Sequence, residues 1–261
     1  MGSRLLDKVA VVTGAGSGLG RASAVRFAAE GAAVVCVDLR EESVSSVVDD
    51  IIAAGGRAIG TAVDATSSEQ CASMTELAES TFGRIDIVFA CAGIAGAGTA
   101  ATTTEADWDR VIATNLTSKW LSFRHALPGM IERGSGSIIV QASIGGLIGV
   151  PGIFPYAAAK GGCIAMVKQA AADLGPHGVR VNAIAPGTIV TPLVTETWRQ
   201  GGGMGAGLEV EEGIRRAAER YPLRRLGTEN EFASLVTYVA SDESAWTTGH
   251  TFVIDGGMTV V

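Results

Sequence analysis

Between Val9 and Ile254, short apolar runs alternate with stretches of helical spacing, and this rhythm restricts the chain more than any other feature. The runs Val9–Thr13, Ala33–Val37, Ile59–Val63, Ile85–Ala90, Ser137–Ala142, Val179–Ala185 and Thr251–Ile254 read as strands. Leu19–Glu30, Glu41–Ala54, Ser67–Phe82, Glu105–Glu132, Tyr156–Leu174 and Glu229–Ala240 read as helices, the fourth with a break near Pro128. Gly31, Gly55-Gly56 and Gly83 stop the first three. Repeated βα units joined by right-handed crossovers predict an α/β fold, a doubly wound parallel sheet of about seven strands with helices on both faces. No linker or repeat divides the sequence, so residues 1–261 are expected to form one domain. The one irregular stretch, from Pro186 to Gly227, holds Gly201-Gly202-Gly203 and a charged helix-like segment, Glu209–Arg220. A connection that long inside a compact domain suggests a substrate lid over about 188–227.

Composition agrees. Hydrophobic residues make up 47% of the chain and aromatics only 5%, with 35 glycines, so the core is aliphatic and the turns are tight. A net charge of -7 leaves no basic stripe for nucleic acid or an anionic membrane. Cys36, Cys71, Cys91 and Cys163 have no CxxC or metal-ligand spacing, and His125, His177 and His250 are scattered. No metal site is expected, and the cysteines read as reduced core thiols of a cytoplasmic protein. Asp7 and Lys8 interrupt the N-terminal apolar stretch, which does not read as a signal peptide. The uncharged stretch Gly134–Ala159 is broken by Pro151, Pro155 and glycines, so a strand followed by a site-lining loop fits it better than a membrane span.

The first strand runs into Thr13-Gly14-Ala15-Gly16-Ser17-Gly18-Leu19-Gly20. Glycines there let the backbone turn sharply and approach a pyrophosphate, and the helix that follows presents free N–H groups to it. The spacing is not GxGxxG, because Leu19 would occupy the last glycine position, and no Lys-Ser/Thr pair follows as in a Walker loop. It is TGxxxGxG. Asp38 closes the second strand, where an acid accepts hydrogen bonds from the adenosine ribose and repels a 2′-phosphate. Uncharged Ser17 also favours NAD, while Arg40 is the residue that could accommodate a phosphate.

Tyr156 and Lys160 are four apart on an expected helix and so share a face, and Ser143 ends the strand before them. With these residues in place the chain resembles the short-chain dehydrogenase/reductase family, in its single-domain NAD-dependent branch with a Rossmann fold. The resemblance covers nearly the whole chain and rests on TGAGSGLG at 13–20, Asp38, Asp64, ACAG at 90–93, Asn115, Ser143, YAAAK at 156–160, PGTIVT at 186–191 and IDGG at 254–257.

That resemblance implies roles. Tyr156 would be the general acid/base at the substrate oxygen. A free tyrosine ionises near pH ~10, so Lys160 and the positive nicotinamide would have to favour its phenolate. Ser143 would hydrogen-bond the substrate oxygen, Lys160 would also bind the nicotinamide ribose, and Asn115 would hold a relay water at a helix irregularity. Gly14, Ser17, Gly18, Leu19 and Gly20 would take the pyrophosphate. Asp64 and Ala65 would meet the adenine, Cys91, Ala92 and Gly93 the adenosine ribose, and Ile189 and Thr191 the carboxamide. Hydride passes directly between nicotinamide and carbinol carbon, so no metal is implied. A homotetramer packed through two long helices and the C-terminal segment is implied as well. The family often has Asn-Asn-Ala-Gly where this chain has Ala90-Cys91-Ala92-Gly93, which removes a side-chain brace.

The loop Ile144–Phe154 carries no charge. Ile144, Leu147, Ile148, Ile153 and Phe154, with Leu193, Val194, Trp198 and Met204 from the lid, are expected to wall an apolar pocket. This suits a secondary alcohol or ketone, apolar or cyclic. Two other readings are open. An NADPH-dependent 3-ketoacyl reductase is opposed by Asp38, and a catalytically silent NAD-binding sensor or scaffold is opposed by the intact Asn115, Ser143, Tyr156 and Lys160 set.

Overall fold

The computed structural model describes residues 3–261; Met1 and Gly2, the first two residues of the expected single domain, lie outside the described residues. Seven parallel strands form one sheet in the order β3-β2-β1-β4-β5-β6-β7. They are β1 Val9–Thr13, β2 Ala33–Asp38, β3 Arg57–Ala62, β4 Ile87–Ala90, β5 Gly136–Gln141, β6 Val179–Pro186 and β7 Thr251–Ile254. Alternate residues feed opposite faces: Val11 of β1 joins one apolar cluster, while Ala10 and Val12 join the other. Each such Val, Ile or Leu, once fully buried, stabilises the fold by roughly 1.5–3 kcal/mol.

One face is covered by α1 Gly18–Ala29, α2 Glu41–Ala53 and α10 Glu229–Ala240, which contribute Phe27, Val44, Val47 and Phe232. Against the other face pack α3 Ser68–Phe82, α5 Ser118–Arg124 and α7 Phe154–Leu174, which contribute Met74, Leu121 and Val167. Local chemistry sets the ends. Ser67 caps α3 by accepting the Gln70 N–H, Gly83 closes it in the left-handed region, and Thr228 with Glu231 forms a capping box on α10.

The structure departs from the sequence expectations at several element ends; α7, for example, begins at Phe154 rather than Tyr156. β3 begins two residues and ends one residue before the expected Ile59–Val63, because as the edge strand it takes its register from β2 alone, Ala33 pairing with Arg57. β4 starts at Ile87, and the buried Asp86 ahead of it accepts the Val9 N–H at 2.9 Å. The helical region Glu105–Glu132 is α4 Glu105–Ile112, a π turn Ala113–Thr117, α5 and α6 Leu127–Arg133. Pro128 falls in the first turn of α6, where a missing N–H costs nothing. Within the expected lid, α8 Pro192–Arg199 precedes α9 Val210–Ala218. Among the described residues no helix is long and apolar enough to cross a membrane.

The strand order reverses between β1 and β4, and the crevice at the carboxyl ends of such strands is where open α/β sheets take ligands.

Candidate active site

A cleft of about 600 Å³ occupies that crevice. β1 delivers the glycine turn to it. Gly14 sits at φ 71°, and a side chain there would come 2.8 Å from Ala92 Cα. A Cβ at Gly20 would lie 2.0 Å from the Gly14 carbonyl oxygen, so the first turn of α1 is pressed onto the loop that leads into it. Ser17, the N-cap, is extended and makes no side-chain cap bond, and the first turn carries no acid. The opening N–H groups of α1 therefore face the cleft with the positive end of the helix dipole behind them, a cradle suited to a diphosphate.

Asp38 closes the next wall. Its Oδ2 accepts the Gly16 N–H at 3.0 Å and its Oδ1 the Arg40 N–H at 3.4 Å. Asp64 turns the chain after β3, its Oδ1 accepting the Thr66 N–H at 2.9 Å. Thr13 Oγ1 accepts the N–H groups of Cys91 and Ala92 at 3.2 and 3.3 Å, which ties the end of β1 to the turn after β4. Cys91 lines the cleft half-buried, and burial pushes its thiol pKa up against the pull of Lys119 and Lys160, so it is a poor nucleophile.

Ser143 lies just past β5, where its Oγ accepts the Gly145 N–H at 3.1 Å. Tyr156 stands in the first turn of α7. Both line the cleft. Lys160 does not; it is buried behind them, its Nζ donating to the main-chain oxygen and to Oε1 of Gln141, each at 2.8 Å, and lying 5.3 Å from the Tyr156 ring centroid. Asn115 is buried within the π turn. Its carboxamide is engaged with Ile94, Oδ1 accepting the N–H and Nδ2 donating to the oxygen, both at 3.1 Å. Its main-chain oxygen accepts the Cys163 S–H at 3.2 Å.

Gly14, Ser17, Gly18, Leu19, Gly20, Asp38, Asp64, Ala65, Cys91, Ala92, Gly93, Tyr156, Ile189 and Thr191 thus meet on one cleft, with Lys160 and Asn115 immediately behind it. The pocket wall needs correction. Ile144 and Ile153 line the cleft, as do Leu193, Val194, Trp198 and Met204, but Leu147, Ile148 and Phe154 do not. A short 3-10 turn at Ile144–Gly146 changes the phase of the loop, leaving Leu147 43% exposed, while Phe154 packs on Trp108 at 5.6 Å and stays 42% exposed.

Two residues escaped the sequence reading. Gln141 holds Lys160. Lys119 is fully buried, and its Nζ donates to the Ala92 oxygen. Burial, then the charge of Lys160, pushes its pKa down to about 7. Nothing in the sequence singles it out, because a lysine on a helix ordinarily reads as solvated.

A family model described as Enoyl-(Acyl carrier protein) reductase matches residues 14–259. The cyclohexanol dehydrogenase of Acinetobacter sp. (strain SE19) is 35% identical over 260 residues, 99% of this chain and 98% of that protein. The 2-(S)-hydroxypropyl-CoM dehydrogenase 3 of Xanthobacter autotrophicus (strain ATCC BAA-1158 / Py2) is 37% identical over 261 residues, 100% of both chains. Among solved structures, that of levodione reductase superposes with a TM-score of 0.91 at 33% identity, covering 99% of this chain and 100% of the other.

Proposed function

The chain belongs to the short-chain dehydrogenase/reductase family, and on that premise we propose that it transfers a hydride between NAD(H) and a neutral secondary alcohol or ketone, apolar or cyclic. The observation that carries the substrate class is the charge pattern of the cleft. Its charged side chains are Asp38, Arg40, Asp64 and Arg110, whereas every residue that the 143–156 segment and the 186–204 segment contribute is uncharged. A cyclohexanol dehydrogenase and a levodione reductase among the similar proteins support a ring-sized neutral substrate.

The residues fit the cofactor. The uncapped start of α1 would hold the diphosphate, Asp38 the adenosine ribose, Asp64 and Ala65 the adenine, and Cys91, Ala92 and Gly93 the inner face of that ribose. Ile189 and Thr191 would take the carboxamide. Bound there, the nicotinamide supplies or accepts the hydride. Tyr156 gives a proton to the carbonyl oxygen in reduction or takes it from the hydroxyl in oxidation. Ser143 Oγ–H donates to the same oxygen as charge gathers on it. Lys160 places a positive charge beside the tyrosine ring, and with two of its three N–H groups held by Gln141 the third is free for a ribose hydroxyl. A water-holding role for Asn115 falls to its main-chain oxygen, which has a second lone pair beside the Cys163 thiol. Residues 188–227 would act as the lid.

A homotetramer is part of the same reading, supported by Val260 and Val261 at 83% and 86% exposure and by the exposed Trp120 on α5. The same reading puts the protein in the cytoplasm, a compartment suited to four unbridged cysteines. The deciding experiment is a screen of cyclic and acyclic secondary alcohols and ketones, read by reduced-nicotinamide absorbance, with Tyr156→Phe as control. Turnover of neutral substrates that the control loses by about a thousandfold or more is the expected result. No turnover of any neutral alcohol or ketone, with reduction of a 3-ketoacyl thioester by NADPH, would overturn it.

A further inference from the structure

Lys119 is an expensive residue where it stands. An ammonium taken out of water costs several kcal/mol unless a carboxylate or comparable partner faces it. Among the described residues no carboxylate forms an ion pair with Lys119. The titratable groups around it are Lys160 and Cys163 from α7 and Cys91 from the turn after β4. A second buried ammonium, Lys160, aggravates the cost.

The position of its one bond is informative. Lys119 Nζ donates to the carbonyl of Ala92, in the turn whose N–H groups are held by Thr13 and whose continuation at Ile94 is held by Asn115. That turn runs from Cys91 to Gly93, directly after β4. It also presses on the glycine turn, since Gly14 has no room for a side chain against Ala92. A displacement of Ala92 would therefore move the floor of the diphosphate cradle.

We propose that Lys119 is a positioning residue for the dinucleotide: it locks the Cys91–Gly93 turn against the glycine turn, and its charge is balanced only when the anionic cofactor is bound. The inference rests on the reading of the cleft as a dinucleotide site. Because the free protein holds the Lys119 pKa down at about 7, a nearby diphosphate that favours the ammonium draws a proton from solvent as it binds. No bond other than N–H forms, and the buffer supplies the proton.

Calorimetric titration of NADH into the full-length protein near pH ~7.5, in two buffers of different ionisation enthalpy, measures that proton directly. Wild-type protein should take up about half a proton per NADH bound, and its affinity should fall severalfold between pH ~6.5 and ~9. Lys119→Met should bind about tenfold more weakly with no uptake. Lys119→Arg, always charged, should regain most of the affinity without the uptake. NADH binding by wild-type protein with no proton uptake and a flat pH dependence overturns the proposal without recourse to any variant. So does uptake that persists in Lys119→Met. Failure of the wild-type protein to bind NADH overturns the dinucleotide reading itself.

Discussion

Replacing Asp38 with asparagine is expected to change cofactor choice more than any other single substitution. The carboxylate is held at the ribose position by two main-chain donors, the Gly16 N–H to Oδ2 at 3.0 Å and the Arg40 N–H to Oδ1 at 3.4 Å. A 2′-phosphate would sit about 4 Å from it, where each unit of like charge costs about 1 kcal/mol in water and about 4 at an effective dielectric near 20. Asp38 is half-buried, so about 2 kcal/mol per charge is appropriate, or about 4 for a dianion. The exposed Arg40 recovers no more than about 1 kcal/mol. The remaining ~3 kcal/mol corresponds to a preference for NAD over NADP of about a hundredfold in kcat/KM. Asp38→Asn removes the repulsion and weakens the ribose bond, so the ratio should collapse to within about tenfold, with kcat/KM for NAD falling by a similar factor. Steady-state kinetics with both cofactors at saturating alcohol, at low and high salt, measures this. A wild-type enzyme that uses NADP within tenfold of NAD, or a ratio unmoved in Asp38→Asn, would refute the electrostatic argument.

Gly20→Ala would drive a methyl group to 2.0 Å from the Gly14 oxygen, a backbone atom that cannot step aside. Cofactor affinity should drop by about a hundredfold or more and the melting temperature should fall, whereas Gly175→Ala, with nothing within 4 Å, should leave both unchanged. Lys119→Met should stabilise the protein on the acid side. The folded-state pKa, about 7, lies below the reference 10.5, so between those values the unfolded chain binds more protons and stability rises with pH. Urea melts from pH ~6 to ~10 should show wild type gaining about 4 kcal/mol on the variant as pH rises, and a constant difference would contradict the burial of the charge.

The fold was legible wherever punctuation was sharp. β1, β7 and α10 were read residue for residue, because glycines, Asp38-like strand ends and the Thr228–Glu231 box mark turns by local chemistry that tertiary contacts do not override. The π turn was not legible, because Ala-Thr-Asn-Leu-Thr carries no local breaker; the break near Pro128 was, the helix stopping at Arg124 and restarting at Leu127 with Pro128 in its first turn. α8 was missed although Thr191 caps it and Pro192 opens it, because two turns are too short for a periodicity to stand out. In the cleft, the glycine turn, Asp38, Ser143 and Tyr156 follow from spacing. Gln141 and Lys119 do not, since a lysine on a helix reads as solvated until its depth is known. Leu147 and Ile148 fall outside the cleft because the 3-10 turn redirects the loop, and Phe154 because it opens α7 and packs on Trp108.

The π turn at Ala113–Thr117 has a meaning for how this chain can vary in length. It is in effect one residue inserted into a helix that would otherwise run from α4 into α5. Deleting any residue of it would restore a regular helix and improve its local hydrogen bonding. The same deletion would close the bulge while α5 keeps its place, so the loss would fall on the residues of the turn itself. Asn115, inside the turn, would leave Ile94, and the wall of the cleft would lose that anchor. The Gly201–Gly207 stretch can gain or lose a residue at its exposed turns, but the 113–117 segment cannot, so length changes should accumulate in the first and be purged from the second.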